Sequence, residues 1–214
     1  MGKIINDNLR AHIEKDILPE YELNDMGHNI NHINLVLDRA YEISGKYNVD
    51  DNMLYTVVCF HDLACHVNRE EHEKLSAERL YCDEKLKEFF DENQIQIMKE
   101  AIEDHRASLE YIPRNIYGKI LSSADRKVDI DDYLRSSIGF SMKKEPHLTQ
   151  EEMIEKSYNY AIKKFGKNGY ATTKMYVEDK KYETFLKEIQ DLIDNKEKFT
   201  RRATKMIEKL KSRG

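Results

Sequence analysis

The stretch Thr56-Val57-Val58-Cys59-Phe60-His61-Asp62 carries the densest chemical signal in the chain, an apolar run that ends in an adjacent imidazole and carboxylate. Burying such a pair without a partner of opposite character is costly, and a metal cation is the partner that suits both groups. Three further segments place candidate ligands on the apolar side of a helical pattern: one around His32, one around His72 and His105, and one around Asp125. In the segment Asn93 to Arg106, Ile95, Met98, Ile102 and His105 step by three, four and three, which groups this histidine with the apolar residues. Leu121, Asp125 and Val128 likewise share a side, so Asp125 faces inward, and buried carboxylates seldom lack partners.

The elements that position these groups read as helices throughout. A first helix covers Ile4 to Leu18 and stops at Pro19, followed by a polar, irregular stretch from Glu20 to Gly27. Asn29 or Asn31 caps a helix that ends at Ser44-Gly45 and sets His28 and His32 on one side. The run Met53 to Phe60 is short enough for a strand, but its helical neighbours favour a buried helix. Arg69 to Phe90 is amphipathic through Leu75, Leu80 and Leu86, and Ile116 to Ile130 forms the helix of Asp125. A loop is expected over Ser136 to Leu148 on the strength of Gly139 and Pro146. Three helices then follow, over Thr149 to Phe165, Ala171 to Asp194 and Lys196 to Lys211.

The chain has 214 residues, 40% hydrophobic and 35% charged, with 8 Gly and 3 Pro, a balance that favours long solvated helices in one all-α domain over 1–214. A formal net charge of -5 argues against general binding to nucleic acid or anionic membrane. Three cysteines without CxxC spacing read as reduced thiols, and no apolar run has signal-peptide or membrane-spanning length, so a soluble cytoplasmic protein is expected. The Lys-rich segment from 196 to 213 reads as a solvated helix with intrahelical ion pairs.

The ordered set of His32, the pair His61-Asp62, His72, His105 and Asp125 in Ser-Ala-Asp-Arg-Lys resembles the HD-domain metal-dependent phosphohydrolases, an all-helical family named for its adjacent His-Asp pair. The resemblance covers about residues 25–130, the expected HD-type helical bundle, and leaves about 149–211 as a C-terminal helical extension. It implies that His32, His61, Asp62 and Asp125 bind one divalent cation. Two imidazoles and two carboxylates suit Mn, Fe, Co, Ni or Zn better than Ca, with manganese favoured and magnesium admitted. The reaction implied is hydrolysis of a phosphate ester or anhydride, with a small nucleotide as substrate class and no nucleic-acid or membrane partner; a homodimer is open. Asp62, His72 and His105 are the catalytic candidates. The two histidines contact substrate phosphate as cations or support the site from behind, hold a second metal, or serve the core alone as hydrogen-bonded residues.

Nucleotidases and alarmone hydrolases of that family commonly carry a Glu three residues after the central Asp, where this chain has Cys65 followed by His66. This departure supports an alternative, a nucleotide-binding regulatory protein with little turnover. A di-iron oxygenase is a second alternative and requires both His72 and His105 as ligands. Among the cations, Arg106 beside His105 and Arg126 beside Asp125 are the candidates for phosphate binding, because a guanidinium fork matches phosphate oxygens.

Overall fold

The computed structural model describes residues 4–24 and 27–212. Residues 25–26 of the expected irregular stretch, and residues 1–3 and 213–214 of the expected domain, lie outside the described residues. Among the described residues the regular structure is helical throughout, without a strand, and no helix is long and apolar enough to cross a membrane. The chain divides into two compact units, the first running to Asp125 and including Tyr176–Glu178, the second formed by Arg126–Met175 and residues from Asp179 onward.

The first unit is built around α3 (Asp51–Phe60), which is buried from Met53 to Phe60 because its apolar residues occupy every side of the helix. The strand alternative for this run is thereby excluded. Asp50 caps α3 by accepting from the backbone N–H groups of Asn52 and Met53. Helix α1 (Asp7–His12) does not simply stop at Pro19. It continues as a π-helical turn, Ile13–Ile17, and then a 3-10 helix, Leu18–Leu23, in which proline occupies a first-turn position that needs no backbone donor. Part of the stretch expected to be irregular is therefore ordered, and Tyr21 is buried there with its hydroxyl donating to the Cys59 carbonyl at 3.0 Å.

Helix α2 (Ile30–Ser44) is capped by Asn29. The amphipathic segment from Arg69 divides into α4 (His72–Tyr81) and a 3-10 helix, Glu84–Glu88, at Asp83, whose carboxylate caps the second piece. Leu75, expected inside, is 38% exposed; α4 instead buries His72, Ser76, Ala77 and Leu80. The inward choice is explained by Ser76, whose Oγ accepts from the Ala64 N–H at 3.0 Å just beyond the His-Asp pair. Helix α5 (Glu92–Glu103) starts in a capping box formed by Asp91 and Gln94, and α6 (Ile116–Ala124) packs on it closely. The approach depends on Gly118: a Cβ there would lie 3.3 Å from both Ala101 Cα and Pro113 Cβ. The expected helix to Ile130 thus ends at Asp125, its C-cap.

The second unit holds α7 (Ile130–Lys144), α8 (Gln150–Phe165), α9 (Lys180–Ile193) and α10 (Lys196–Lys211). Its core stacks aromatic rings edge to face, with Tyr133 against Phe165 at 5.5 Å and Phe165 against Phe185 at 5.2 Å between centroids. Two expectations are corrected here. Ser136 to Lys144 is helix and not loop, because Tyr133, Leu134, Ile138 and Ser141 form a buried stripe that outweighs the low helix propensity of Gly139. The segment expected to be helical from Ala171 begins only at Lys180, where Asp179 supplies the N-cap through the Tyr182 N–H.

Candidate metal centre

The polar groups of the first unit gather where helices end. The last carbonyls of a helix have no intrahelical partner, and an imidazole N–H can satisfy one. His61, the C-cap of α3, donates Nδ1–H to the Val58 carbonyl at 2.8 Å, and His105, just past α5, donates to the Ile102 carbonyl at 2.6 Å. His72 does the same to the Arg69 carbonyl at 3.0 Å, ahead of α4. A carbonyl can only accept, so each of these rings carries its hydrogen on Nδ1. In the neutral state Nε2 is left as a bare lone pair. All three Nε2 atoms turn toward Asp62.

The Asp62 carboxylate divides its two oxygens between two sets of partners. Oδ2 lies 3.4 Å from both His32 Nε2 and His61 Nε2, while Oδ1 lies 3.1 Å from His72 Nε2 and 3.5 Å from His105 Nε2. Asp125, delivered from the end of α6, brings Oδ1 to 3.1 Å from His32 Nε2 and 3.9 Å from His61 Nε2. His32, His61, Asp62 and Asp125 each offer a ligand atom within 4.8 Å of the others, and so do Asp62, His72 and His105. A third such group joins His28, Asp62 and Cys65.

The first set has the character of a cation site. His32 Nε2 and His61 Nε2 are buried and, despite the nearby carboxylates, make no hydrogen bond. Buried imidazole nitrogens without hydrogen-bond partners, flanked by carboxylate oxygens, form a donor set that fits a divalent transition-metal ion once the His32 ring gives up its second proton. In the second set the Nε2 atoms of His72 and His105 stand 3.3 Å apart. Two bare lone pairs cannot face each other at that distance without repulsion, so either one ring holds a second proton or a cation lies against both.

Charge coupling in the cluster is strong. Burial opposes ionisation of Asp62, but His61, His105, His32 and His72 outweigh it and hold the carboxyl well below the usual range. Burial likewise disfavours the His32 imidazolium, and the carboxylates of Asp125 and Asp62 reverse this, raising its pKa to about 9. Asp125 is held low by His32 and His61 against the effect of its own burial. Burial pushes the Cys65 thiol up, and the Asp62 charge adds to this, so Cys65 is a protonated thiol at neutral pH and no substitute for a carboxylate base.

The expected anion-binding arginines are both engaged. Arg106 donates Nη1–H to the Glu70 carbonyl at 2.6 Å and to Glu73 Oε2 at 3.2 Å. Arg126 opens the second unit, where its guanidinium donates to the Lys174 carbonyl and lies 4.7 Å from the centre of the Tyr182 ring.

Two supports were not anticipated from the sequence. Asn24 donates Nδ2–H to the Asp62 carbonyl at 2.9 Å and accepts from the His66 N–H at 2.8 Å, tying the 3-10 helix to the loop after the His-Asp pair. Asp104, fully buried beside His105, accepts from Tyr111 Oη, from the Arg114 backbone N–H, and from Arg114 Nε and Nη2, all within 2.9 Å. The neighbouring Asp104-His105 pair was the available signal for the second. Asp104→Ala is expected to destabilise the protein by about 2–3 kcal/mol, toward the low end for a broken buried ion pair because the Arg114 guanidinium is 40% exposed. Urea denaturation checks this through a lower midpoint at an unchanged slope.

Comparison with known proteins finds no matching family model and no matching curated relative. Among solved structures, a predicted HD superfamily hydrolase from an uncultured Thermotogales bacterium is similar at 23% identity and a TM-score of 0.49, over 74% of this chain and 89% of the other.

Proposed function

We propose that this protein is a metal-dependent phosphohydrolase of the HD type, acting on a phosphate ester or anhydride of a small nucleotide. The observation that carries the reading is the convergence of His32, His61, Asp62 and Asp125 with two buried imidazole nitrogens left unbonded. These four residues would hold one divalent ion, manganese being favoured. When bound, it supplies Lewis acidity, polarising a phosphoryl oxygen and lowering the pKa of a water toward neutrality.

The remaining work falls to the protein's own side chains. Backbone carbonyls fix the rings of His61, His72 and His105, so their Nε2 atoms point inward without rearrangement. With one of the His72 and His105 rings protonated, their pair presents positive charge on the Oδ1 side of Asp62, suited to hold anionic phosphoryl oxygens and to return a proton to the departing group. Arg106 would add a guanidinium contact on giving up its bond to Glu73.

A second reading is favoured by the group of Asp62, His72 and His105, each with a ligand atom facing the others. Here these two histidines and Asp62 would hold a second ion. Two irons would then point to oxidative chemistry. The test is metal analysis of anaerobically prepared protein, followed by reconstitution with manganese and phosphate-release assays against nucleoside mono-, di- and triphosphates. Phosphate release with one manganese per chain supports the main reading. Two irons per chain with oxygen consumption and no phosphate release would replace it, and ligand-dependent thermal stabilisation without turnover would make the protein a sensor.

A further inference from the structure

Helix α10 carries seven cationic side chains and two glutamates, in a chain whose formal net charge is -5. With about 100° of rotation per residue, Lys198, Arg201, Arg202, Lys205 and Lys209 fall within an arc of about 100° and along about 16 Å of helix axis. All five are exposed. Together with Asp131 of α7 and the buried Met206, they line a groove of about 400 Å³ within the second unit.

The intrahelical ion pairs expected for this segment do not form among the described residues. Lys196 reaches Glu155 of α8 at 2.7 Å, and Arg202 Nε reaches Asp131 Oδ1 at 2.9 Å, both on other helices. Lys198, Arg201, Lys205 and Lys209 have no ion partner among the described residues. Like charges three and four residues apart repel, so this stripe weakens the helix unless an anion is drawn to it.

We propose that this shallow groove on the face of α10, bordered by Asp131 of α7, binds a small multivalent phosphate anion, of the charge density of a triphosphate chain. Four unneutralised cations in one arc match several phosphate oxygens at once, and the Arg202–Asp131 pair holds one rim of the groove in place. A nucleic-acid strand fits less well. No aromatic side chain lines the groove to stack a base, and the overall negative charge opposes a long polyanion.

The test is isothermal titration of inorganic triphosphate into the full-length chain, stripped of metal ions, at low salt where surface charge is least screened. Saturable binding is expected. It should weaken about tenfold or more in the Arg201→Glu, Lys205→Glu double variant and by a smaller factor in the Lys198→Ala, Lys209→Ala variant. Asp62→Asn at the metal centre, and Lys187→Glu on the exposed side of α9, should each leave affinity within about twofold. ATP should bind like triphosphate and AMP should not, which separates a shared phosphate chain from nucleoside recognition. Absence of binding, an equal loss in Lys187→Glu, or displacement by a short single-stranded oligonucleotide at lower concentration than triphosphate would each overturn the proposal.

Discussion

Asp62→Asn should strip the protein of its metal and silence it. The two oxygens of this one carboxylate face four imidazoles, at 3.1 to 3.5 Å. The amide keeps the shape but presents a neutral oxygen and an N–H₂ where two anionic acceptors stood. Losing an outer support of a metal ligand costs about 10–100-fold in affinity or activity, so loss of the ligand itself should cost at least about a hundredfold in both. Metal content by mass spectrometry after dialysis, with turnover measured in the same preparation, checks this. Circular dichroism should stay unchanged, because the core around α3 is untouched. A variant that retains stoichiometric metal would show that Asp62 is not a ligand.

Metal affinity should climb steeply with pH. His32 holds a proton with a pKa of about 9, because Asp125 and Asp62 outweigh the burial that opposes its charge. A metal must displace that proton, so apparent affinity is expected to rise about tenfold per pH unit between pH 7 and 9 and to flatten above. Stability of the metal-stripped protein should run the other way. A pKa raised above the ordinary value of about 6.5 gives stability that is fully present below that value and lost as pH rises through about 9. Chelator competition and urea melts over this range check the opposed trends. An affinity that stays flat from pH 7 to 9 would exclude His32 as the proton-linked ligand.

Much of this architecture was legible in the residues. The His61-Asp62 pair at the end of an apolar helix follows from spacing, and the described residues set it beside His32, His72, His105 and Asp125, although His105 and Asp125 lie just past the ends of α5 and α6 and outside the helical periods read for them. Of the two caps read for the helix of His32, Asn29 is the one used, because a short polar side chain before an apolar period has few other uses. The errors lay where one residue was allowed to speak for many. Gly139 suggested a loop, yet a Cβ there would meet nothing within 4 Å, and the buried stripe beginning at Tyr133 decided the matter. Leu75, read as inward, is exposed, while the neighbouring Ser76 is buried with its hydroxyl accepting from the Ala64 N–H, a tertiary contact that hydrophobic periodicity does not register. Which nitrogen of each imidazole would point inward could not be read from sequence at all, since that depends on where the carbonyls of Val58, Arg69 and Ile102 fall.

That last arrangement limits how the site can diverge. A ring tethered to main chain at one nitrogen cannot swivel to suit ions of different radius, so within the proposed four-residue site the direction of His61 Nε2 is a property of the fold. Discrimination between one ion and another would then fall to the other groups of the proposed site, above all to Asp125, which sits at a helix end and is 30% exposed while Asp62 is enclosed. Any retuning of metal preference should therefore begin at position 125 and leave His61 alone.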